Sequence, residues 1–584
     1  MRARIAAAMA AVFLLAGCAS LPDSSTPQAI GTIAPGPVTG EVPVPAPGRE
    51  PDLLLRDFFG ASTDPLNRHF SARQFLAPDT AAQWDDAAST TIVDKVDVLP
   101  DQRTGDAATY TIRANKVGQL ESGGAYIADE GSFETKIHLR KTDGQWRIDQ
   151  LPPGVIMDRP QFLKTYQRQA LYFLDPAETA VAPDLRWISI RTQNLPERLV
   201  DLLITGPKPA LANAVGNQLG NLTLRAPITK ADGRTDGVGI GFGGVRIDFQ
   251  GAQDLDQRRR ELLAAQVVWT LAEAEIAGPY VLLADGKPLD ERFPGGWTTA
   301  DVASTNPMSS ASSAIGLHAL REGALVSVTE TGVLPLPGYF GTATDLESIA
   351  LSRDGKWAAG VSATGQASGA IRTLMSGPIA GDAVPVLQGG SITRPTWSPA
   401  DASLWAVVDG SQVIRAVRDA NSPQVSVQPV DSAAIAGLGG SITELRLSRD
   451  GVRAAIIVDG KVYVAVVERH PDGRYQLMNP RPAAVGLGSP AVALDWSGGD
   501  SVVVARAASD IPVVMVSQDG SRMDALPSRN LTPPVDSVDA SPTTVFVGDA
   551  RGVFQLNNND PAGDRYWREV PGLTGVKATP VLPG

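Results

Sequence analysis

Few residues in this 584-residue chain are equipped for chemistry, and the most informative is its single cysteine, Cys18. It ends the run Leu15-Ala16-Gly17-Cys18, behind Arg2, Arg4 and an apolar stretch from Ile5 to Leu15. A charged start, a short apolar core and small residues ahead of a cysteine make a secretory signal of the lipobox kind. The stretch is shorter than the about 20 residues a bilayer span requires. The spacing predicts cleavage before Cys18, an S-diacylglyceryl group on its sulfur and an acyl chain such as palmitate on the freed amine. Two or three chains hold a protein firmly where one binds reversibly. With no second cysteine, no intramolecular disulfide forms, and ordinary cores must supply the stability.

The other chemically suggestive strings are weaker. Gly239-x-Gly241-x-x-Gly244 matches a dinucleotide fingerprint as text, but Val245-Arg246-Ile247-Asp248-Phe249 follows as a strand. The fingerprint needs a helix N-terminus to meet a pyrophosphate, so a glycine-rich turn is expected here and no cofactor. His69, His138, His318 and His470 have no ligand-type partner two to four residues on, and a zinc site needs three or four ligands, so no metal is expected. No serine sits in a nucleophile elbow between a strand and a helix. Asp354 and Asp450 lie in Ser-x-Asp-Gly strings. They could bind calcium or act as acids, but Asp followed by Gly is what a tight turn demands. Arg258, Arg259 and Arg260 alternate with Glu261, Glu273 and Glu275 along one helix and read as a solvated face. No catalytic residues are assigned.

These residues must be carried by several domains. Net charge is -12 with 43% hydrophobic residues, which suits folded domains and opposes nucleic-acid binding and electrostatic adhesion to anionic lipid. Residues 1–17 are read as signal peptide and 18–50 as the acylated cysteine and a proline-rich tether that cannot build a core. Fully extended, about 30 such residues reach roughly 90 Å.

Residues 51–155 read as an α+β domain. Helices begin at Pro51, near Pro65–Gln74 and near Thr80, and three strands follow, the last two joined by an Asp143-Gly144 hairpin turn. Helices followed by a meander with a Trp146-x-Ile148 strand are similar to NTF2-like cones. Residues 156–300 read as a second α+β domain. It has a helix near Pro160–Gln169 and strands around 171–175 and 185–193. A long helix follows, capped by Asp254 with Gln257, with Leu262, Leu263, Gln266, Val267, Thr270, Leu271 and Ala274 on one stripe.

From residue 307 to 584 short strands alternate with turns. Ser352, Ser398, Ser448, Ser497 and Ser541 recur 46, 50, 49 and 44 residues apart. That period with four strands per unit predicts a β-propeller, with about six blades once the preceding unit from Ala314 is included. The fold class expected is therefore multidomain: two α+β domains (NTF2-like and GerMN-like) followed by an all-β propeller. The blade turn resembles that of TolB-type propellers.

In this order, the pieces resemble the LpqB family of actinobacterial lipoproteins over essentially the whole chain. The most specific stretch is Gly243 to Leu289, which resembles the second half of a GerMN domain. Membership would imply an accessory protein of the MtrA–MtrB two-component system. It would be anchored to the cell membrane by lipid on Cys18, face outward, contact the extracytoplasmic domain of the MtrB-like sensor histidine kinase, and bear on envelope homeostasis and division. The resemblance supplies no catalytic residues. The expected function is thus that of a non-enzymatic regulator. The alternatives are a cell-wall hydrolase housed in the propeller, whose paired carboxylates would meet in space rather than in sequence, and a sensor that binds a glycan or small molecule.

Overall fold

A computed structural model describes residues 44–189, 194–306, 315–364, 371–399, 402–418 and 425–584. The lipobox, Leu15 to Cys18, and most of the tether lie outside the described residues, and every element below belongs to the unit Pro45–Gly584.

The first domain opens with α1 (Pro51–Ala61). Pro51 presets the first-turn φ and Asp52 complements the helix dipole. Leu54, Leu55, Phe58 and Phe59 fall on one stripe and are buried. Each such side chain contributes about 1.5–3 kcal/mol when fully removed from water. Two short helices follow, α2 (Leu66–Arg73) and α3 (Pro78–Gln83). The five strands are β1 (Thr90–Arg103), β2 (Ala107–Leu120), β3 (Tyr126–Thr142), β4 (Gln145–Gln150) and β5 (Val155–Asp158). They form one sheet of order β4-β3-β2-β1-β5, antiparallel except for the parallel β1–β5 pair. Asp143 and Gly144 both take positive φ in the β3–β4 turn, as a type I′ hairpin requires. The expected boundary at 155/156 runs through β5. The helix α4 (Arg159–Thr165) also puts Phe162 into this core.

The second domain is built on β6 (Gln167–Leu174) paired with β7 (Val181–Ile188), followed by α5 (Leu195–Thr205). A second sheet comprises β8 (Thr223–Leu224), β9 (Val245–Gln250), β10 (Tyr280–Ala284) and β11 (Lys287–Pro288). Between them lies α6 (Gln257–Glu273). Its cap is Asp256, whose side chain accepts from the Arg259 amide, and not Asp254 as the capping-box spacing suggested. The helix starts one residue after Asp256, so Asp254 stands two residues too early to cap it. Two polar members of the stripe, Gln266 and Thr270, are wholly buried with a purpose. Thr270 accepts from the Tyr172 amide, and Gln266 donates to the Tyr172 carbonyl, satisfying the open edge of β6.

The remainder is a large β domain of six four-stranded antiparallel sheets among the described residues. The innermost strands follow one another in contact around a ring. The ring closes because Ala578–Val581 returns to pair with His318–Arg321, giving the first sheet its inner strand from the far end of the domain. Adjacent sheets are tied by indole donors: Trp397 Nε1 donates to the Ala350 carbonyl at 3.2 Å and Trp496 Nε1 to the Arg446 carbonyl at 2.9 Å.

Candidate functional site

The marker turns are locks. In the second sheet Ser352 Oγ donates to Asp354 at 2.7 Å and accepts from the Trp357 amide, while Asp354 accepts from the Lys356 amide. In the fourth sheet Ser448, Asp450, Val452 and Arg453 repeat the arrangement. These hydroxyls and carboxylates close the turn between the first two strands of a sheet, a role that Ser and Asp fill by bonding nearby backbone.

The positions two and four residues before each marker serine carry the charge. Two before stand Ala350, Thr396, Arg446, Asp495 and Asp539; four before stand Ser348, Arg394, Glu444, Ala493 and Ser537. Strand alternation puts both sets on one face of their strands and leaves Leu445 and Leu494 on the other, in the cores between sheets. Arg446 Nε donates to Asp495 Oδ1 at 3.0 Å, and Asp495 Oδ2 accepts from the Ala540 amide at 2.9 Å. Arg394 pairs with Asp539, which also accepts from the Leu582 amide at 3.0 Å. Burial pushes both aspartates up. The Arg446 and Arg394 guanidinium groups outweigh it at Asp495 and hold that carboxyl low; Asp539, against Asp495, stays high. The repeat register contains this whole set, which the turn motif alone did not reveal.

Glu444 stands beside this network, and burial pushes it up to about 7 despite Arg394 and Arg446. A carboxyl whose folded-state pKa lies above its unfolded one keeps a proton that the unfolded chain has lost. Its contribution is therefore complete below about pH 4.5 and is lost as pH rises to about 7. The expected result is a melting temperature whose fall across that window is flatter in Glu444→Gln than in the wild-type chain. Identical slopes in thermal melts from pH 4.5 to 8 (~0.5-unit steps) would contradict it.

A second assembly joins the domains. All eight residues of β7 are buried, covered by its own domain, by the first domain and by the large β domain. The Pro183 carbonyl accepts from Arg453 Nη2 at 2.7 Å and from Gln518 Nε2 at 3.2 Å. Trp187 Nε1 donates to Asp519 at 3.2 Å, Arg168 pairs with Asp500 at 2.9 Å, and Ala182 packs with Val452. Within β7, Asp184 is fully buried. Burial alone would raise it, but Lys208 and Arg186 hold it below its ordinary value. The docking face combines marker turns of the fourth and fifth sheets with the Ser517–Ser521 turn; where the second sheet has exposed Lys356, the fourth has Val452. An apolar residue in a turn that elsewhere takes lysine is the sequence signal for this contact.

A cleft of about 350 Å³ opens between the second and third sheets and is lined by Trp357, Trp397, Ser376, Ser398 and Arg418. The Arg418 guanidinium lies over the Trp357 ring at 3.2 Å.

The remaining sequence-marked residues are dispersed. His69 Nδ1 meets the Ser62 carbonyl at 2.9 Å, His138 meets Thr109, His318 is buried on its strand, and His470 sits at a turn. Among the described residues no three His, Cys, Asp or Glu gather for a metal. The Gly239–Gly244 string is a turn leading straight into β9. Its last glycine is required by space, since a Cβ there would lie 2.1 Å from the Pro279 carbonyl oxygen. Arg258 and Arg259 are exposed as expected, whereas Arg260 clamps the carbonyls of Gln253, Leu255 and Leu289. Among the described residues no helix is long and apolar enough to cross a membrane.

Comparison with known proteins covers nearly the whole chain. Residues 44–163 match the model of the lipoprotein LpqB N-terminal domain, 170–290 that of a sporulation and spore germination domain, and 323–583 that of the lipoprotein LpqB β-propeller domain. A Lipoprotein LpqB of Rhodococcus jostii is 65% identical, covering 99% of this chain and 97% of the relative. Those of Nocardia farcinica and Mycobacterium tuberculosis are 52% and 44% identical over 99% and 98% of this chain and 98% and 97% of their own. Among solved structures, a functionally unknown protein from Desulfotomaculum acetoxidans aligns with 47% of this chain and 88% of its own at a TM-score of 0.33 and 13% identity, too distant to carry an argument.

Proposed function

The chain belongs to the LpqB lipoprotein family, and from that premise we propose that it is a membrane-anchored, non-enzymatic binding protein of the extracytoplasmic face. Its partner in this reading is the outer domain of an MtrB-like sensor histidine kinase, through which it affects envelope homeostasis and division. The first domain is read as an NTF2-like cone, the second as a GerMN domain and the third as a six-bladed propeller.

The observation that carries the reading is the junction around β7. Buried polar contacts to Pro183 and Trp187, the half-buried Arg168–Asp500 pair and a bond from Arg159 to the Ser521 carbonyl fix the two α+β domains on the propeller, so one preset surface spans all three. A preorganised surface loses little freedom on docking, and a tether raises its effective concentration near a membrane partner. The carboxylates and arginines at the propeller axis support a structural role, since they are spent on one another. Acylation of Cys18 would supply the anchor.

The test is titration of the purified full chain with the kinase's extracytoplasmic domain, using an unrelated kinase's outer domain as control. Saturable binding to the first alone is expected; equal or absent binding to both would overturn the proposal. The aromatic cleft at Trp357 and Trp397 favours a second reading, a sensor for a wall glycan or small molecule. In that case wall fragments would raise the melting point, as any ligand of the native state does.

A further inference from the structure

The turn before β9 presents the most exposed large apolar side chain of the described residues. Phe242 is 95% exposed and Ile240, two residues earlier, 44%, while Val238, two residues earlier again, is tucked into the domain core at 7%. Single exposed apolar residues are ordinary, but a wholly bare phenylalanine beside a second apolar side chain on a protruding tip is less so.

The tip is built to stand out. Gly237, Gly239, Gly241 and Gly243 all take positive φ, and a Cβ at Gly241 would meet nothing within 4 Å. Glycine there sets the path of the chain and makes no close packing. The base is fixed: the Lys230 amide donates to the Arg234 carbonyl at 2.8 Å, the Ala231 amide to the Gly243 carbonyl at 3.2 Å, and the Arg246 amide to the Thr229 carbonyl at 2.8 Å. The stem also reverses the charge of the molecule. Residues 225–248 carry Arg225, Lys230, Arg234 and Arg246 against Asp232, Asp236 and Asp248, in a chain of net charge -12. Arg234 is spanned by Asp232 at 2.8 Å, and Arg225 pairs with Asp248 at 3.6 Å. The Lys230 side chain runs along the turn, its Nζ 3.5 Å from where a Cβ would stand on Gly237.

We propose that the Gly237–Gly244 turn is a membrane-docking tip, with Phe242 and Ile240 entering the headgroup boundary of a bilayer and Lys230, Arg234 and Arg246 facing anionic headgroups. Aromatic side chains settle at that depth, and nearby cations add attraction to anionic lipid. The net negative charge opposes adhesion of the chain as a whole, and the local reversal is what permits it here within about a Debye length. A lipid surface is favoured over a protein groove because the feature is convex, carries two apolar side chains rather than a patch, and belongs to a lipoprotein confined near a bilayer. Docking would orient the preset surface relative to the membrane.

The test uses the full chain reconstituted in vesicles of phosphatidylcholine with phosphatidylglycerol, in which a fraction of the lipid carries brominated acyl chains. A tryptophan placed by Phe242→Trp is read against a control placed by Tyr566→Trp. Quenching of the first and not the second is expected. The docked population should fall on the order of fivefold when Lys230→Gln removes one cation, and further in phosphatidylcholine alone, where none of the cations finds an anionic headgroup. Equal quenching at both positions, or none at 242, overturns the proposal. If Phe242→Ser abolishes binding of the kinase domain while a tryptophan at 242 stays unquenched, the tip serves a protein partner and the lipid assignment is wrong. Because kinase binding is scored separately, either proposal can fail without the other.

Discussion

Asp495→Ala is expected to lower the stability of the propeller by about 3–5 kcal/mol, because it strands a buried cation. Arg446 is nearly inaccessible, and its Nε has Asp495 as its acceptor at 3.0 Å. The carboxylate also accepts from the Ala540 amide of the next sheet, so its loss leaves that donor unpaired as well. The same reasoning gives a second, opposite expectation. Replacing both partners by apolar residues of similar volume, Arg446→Met with Asp495→Leu, removes the charges together and should cost well under half as much. Urea unfolding of the full chain, followed by tryptophan fluorescence since Trp496 lies in the same strand as Asp495, measures both. A single variant as stable as the wild type would show that the axis network contributes nothing to holding the ring.

The second large effect is expected at Trp187. Its ring packs 4.8 Å from that of Phe162 in the first domain's core, its backbone belongs to β7 of the second, and its Nε1 donates to Asp519 of the third. Trp187→Ala should cost about 3–5 kcal/mol through the cavity it leaves. It should also loosen the domains from one another, which the axis variants should not do. Limited proteolysis separates the cases. In Trp187→Ala, cleavage between the α+β domains and the propeller should accelerate; in Asp495→Ala, cleavage should fall inside the propeller. Trp187→Phe, which keeps most of the packing and loses only the N–H donor, should cost about 1 kcal/mol. Unchanged proteolysis in Trp187→Ala would mean the junction is held elsewhere, by Arg453, Gln518 and Arg168.

How far the sequence reveals this molecule depends on the range of the interactions involved. Local chemistry reads well: the Asp143-Gly144 turn, the apolar stripe of α1 and the Ser-x-Asp-Gly locks are each decided by a few neighbouring residues. β1 is hard to read from sequence because its outer half, from Val98 on, is half-exposed to exposed and carries Pro100, so it shows no clean alternation. The cap of α6 was misplaced by two residues because Asp254 and Asp256 are equivalent as acceptors, and only the start of the helix chooses between them. Long-range features are hardest. Closure of the ring by Ala578–Val581 and the two-sided burial of β7 depend on partners hundreds of residues away. Even so, the charged axis was available in the repeat register, at two and four positions before each marker serine. The exchange of Lys356 for Val452 marked the junction.

The central claim is that this chain works outside the cytoplasm while held to the membrane by lipid on one residue. The measurement that tests it most directly is the mass of the N-terminal peptide of the mature protein extracted from membranes of the native cell. The account predicts that this peptide begins at Cys18 and carries a diacylglyceryl thioether and an N-acyl chain, and that Cys18→Ala releases the protein from the membrane fraction. An unmodified Cys18 within an uncleaved chain recovered from the cytosol would contradict it.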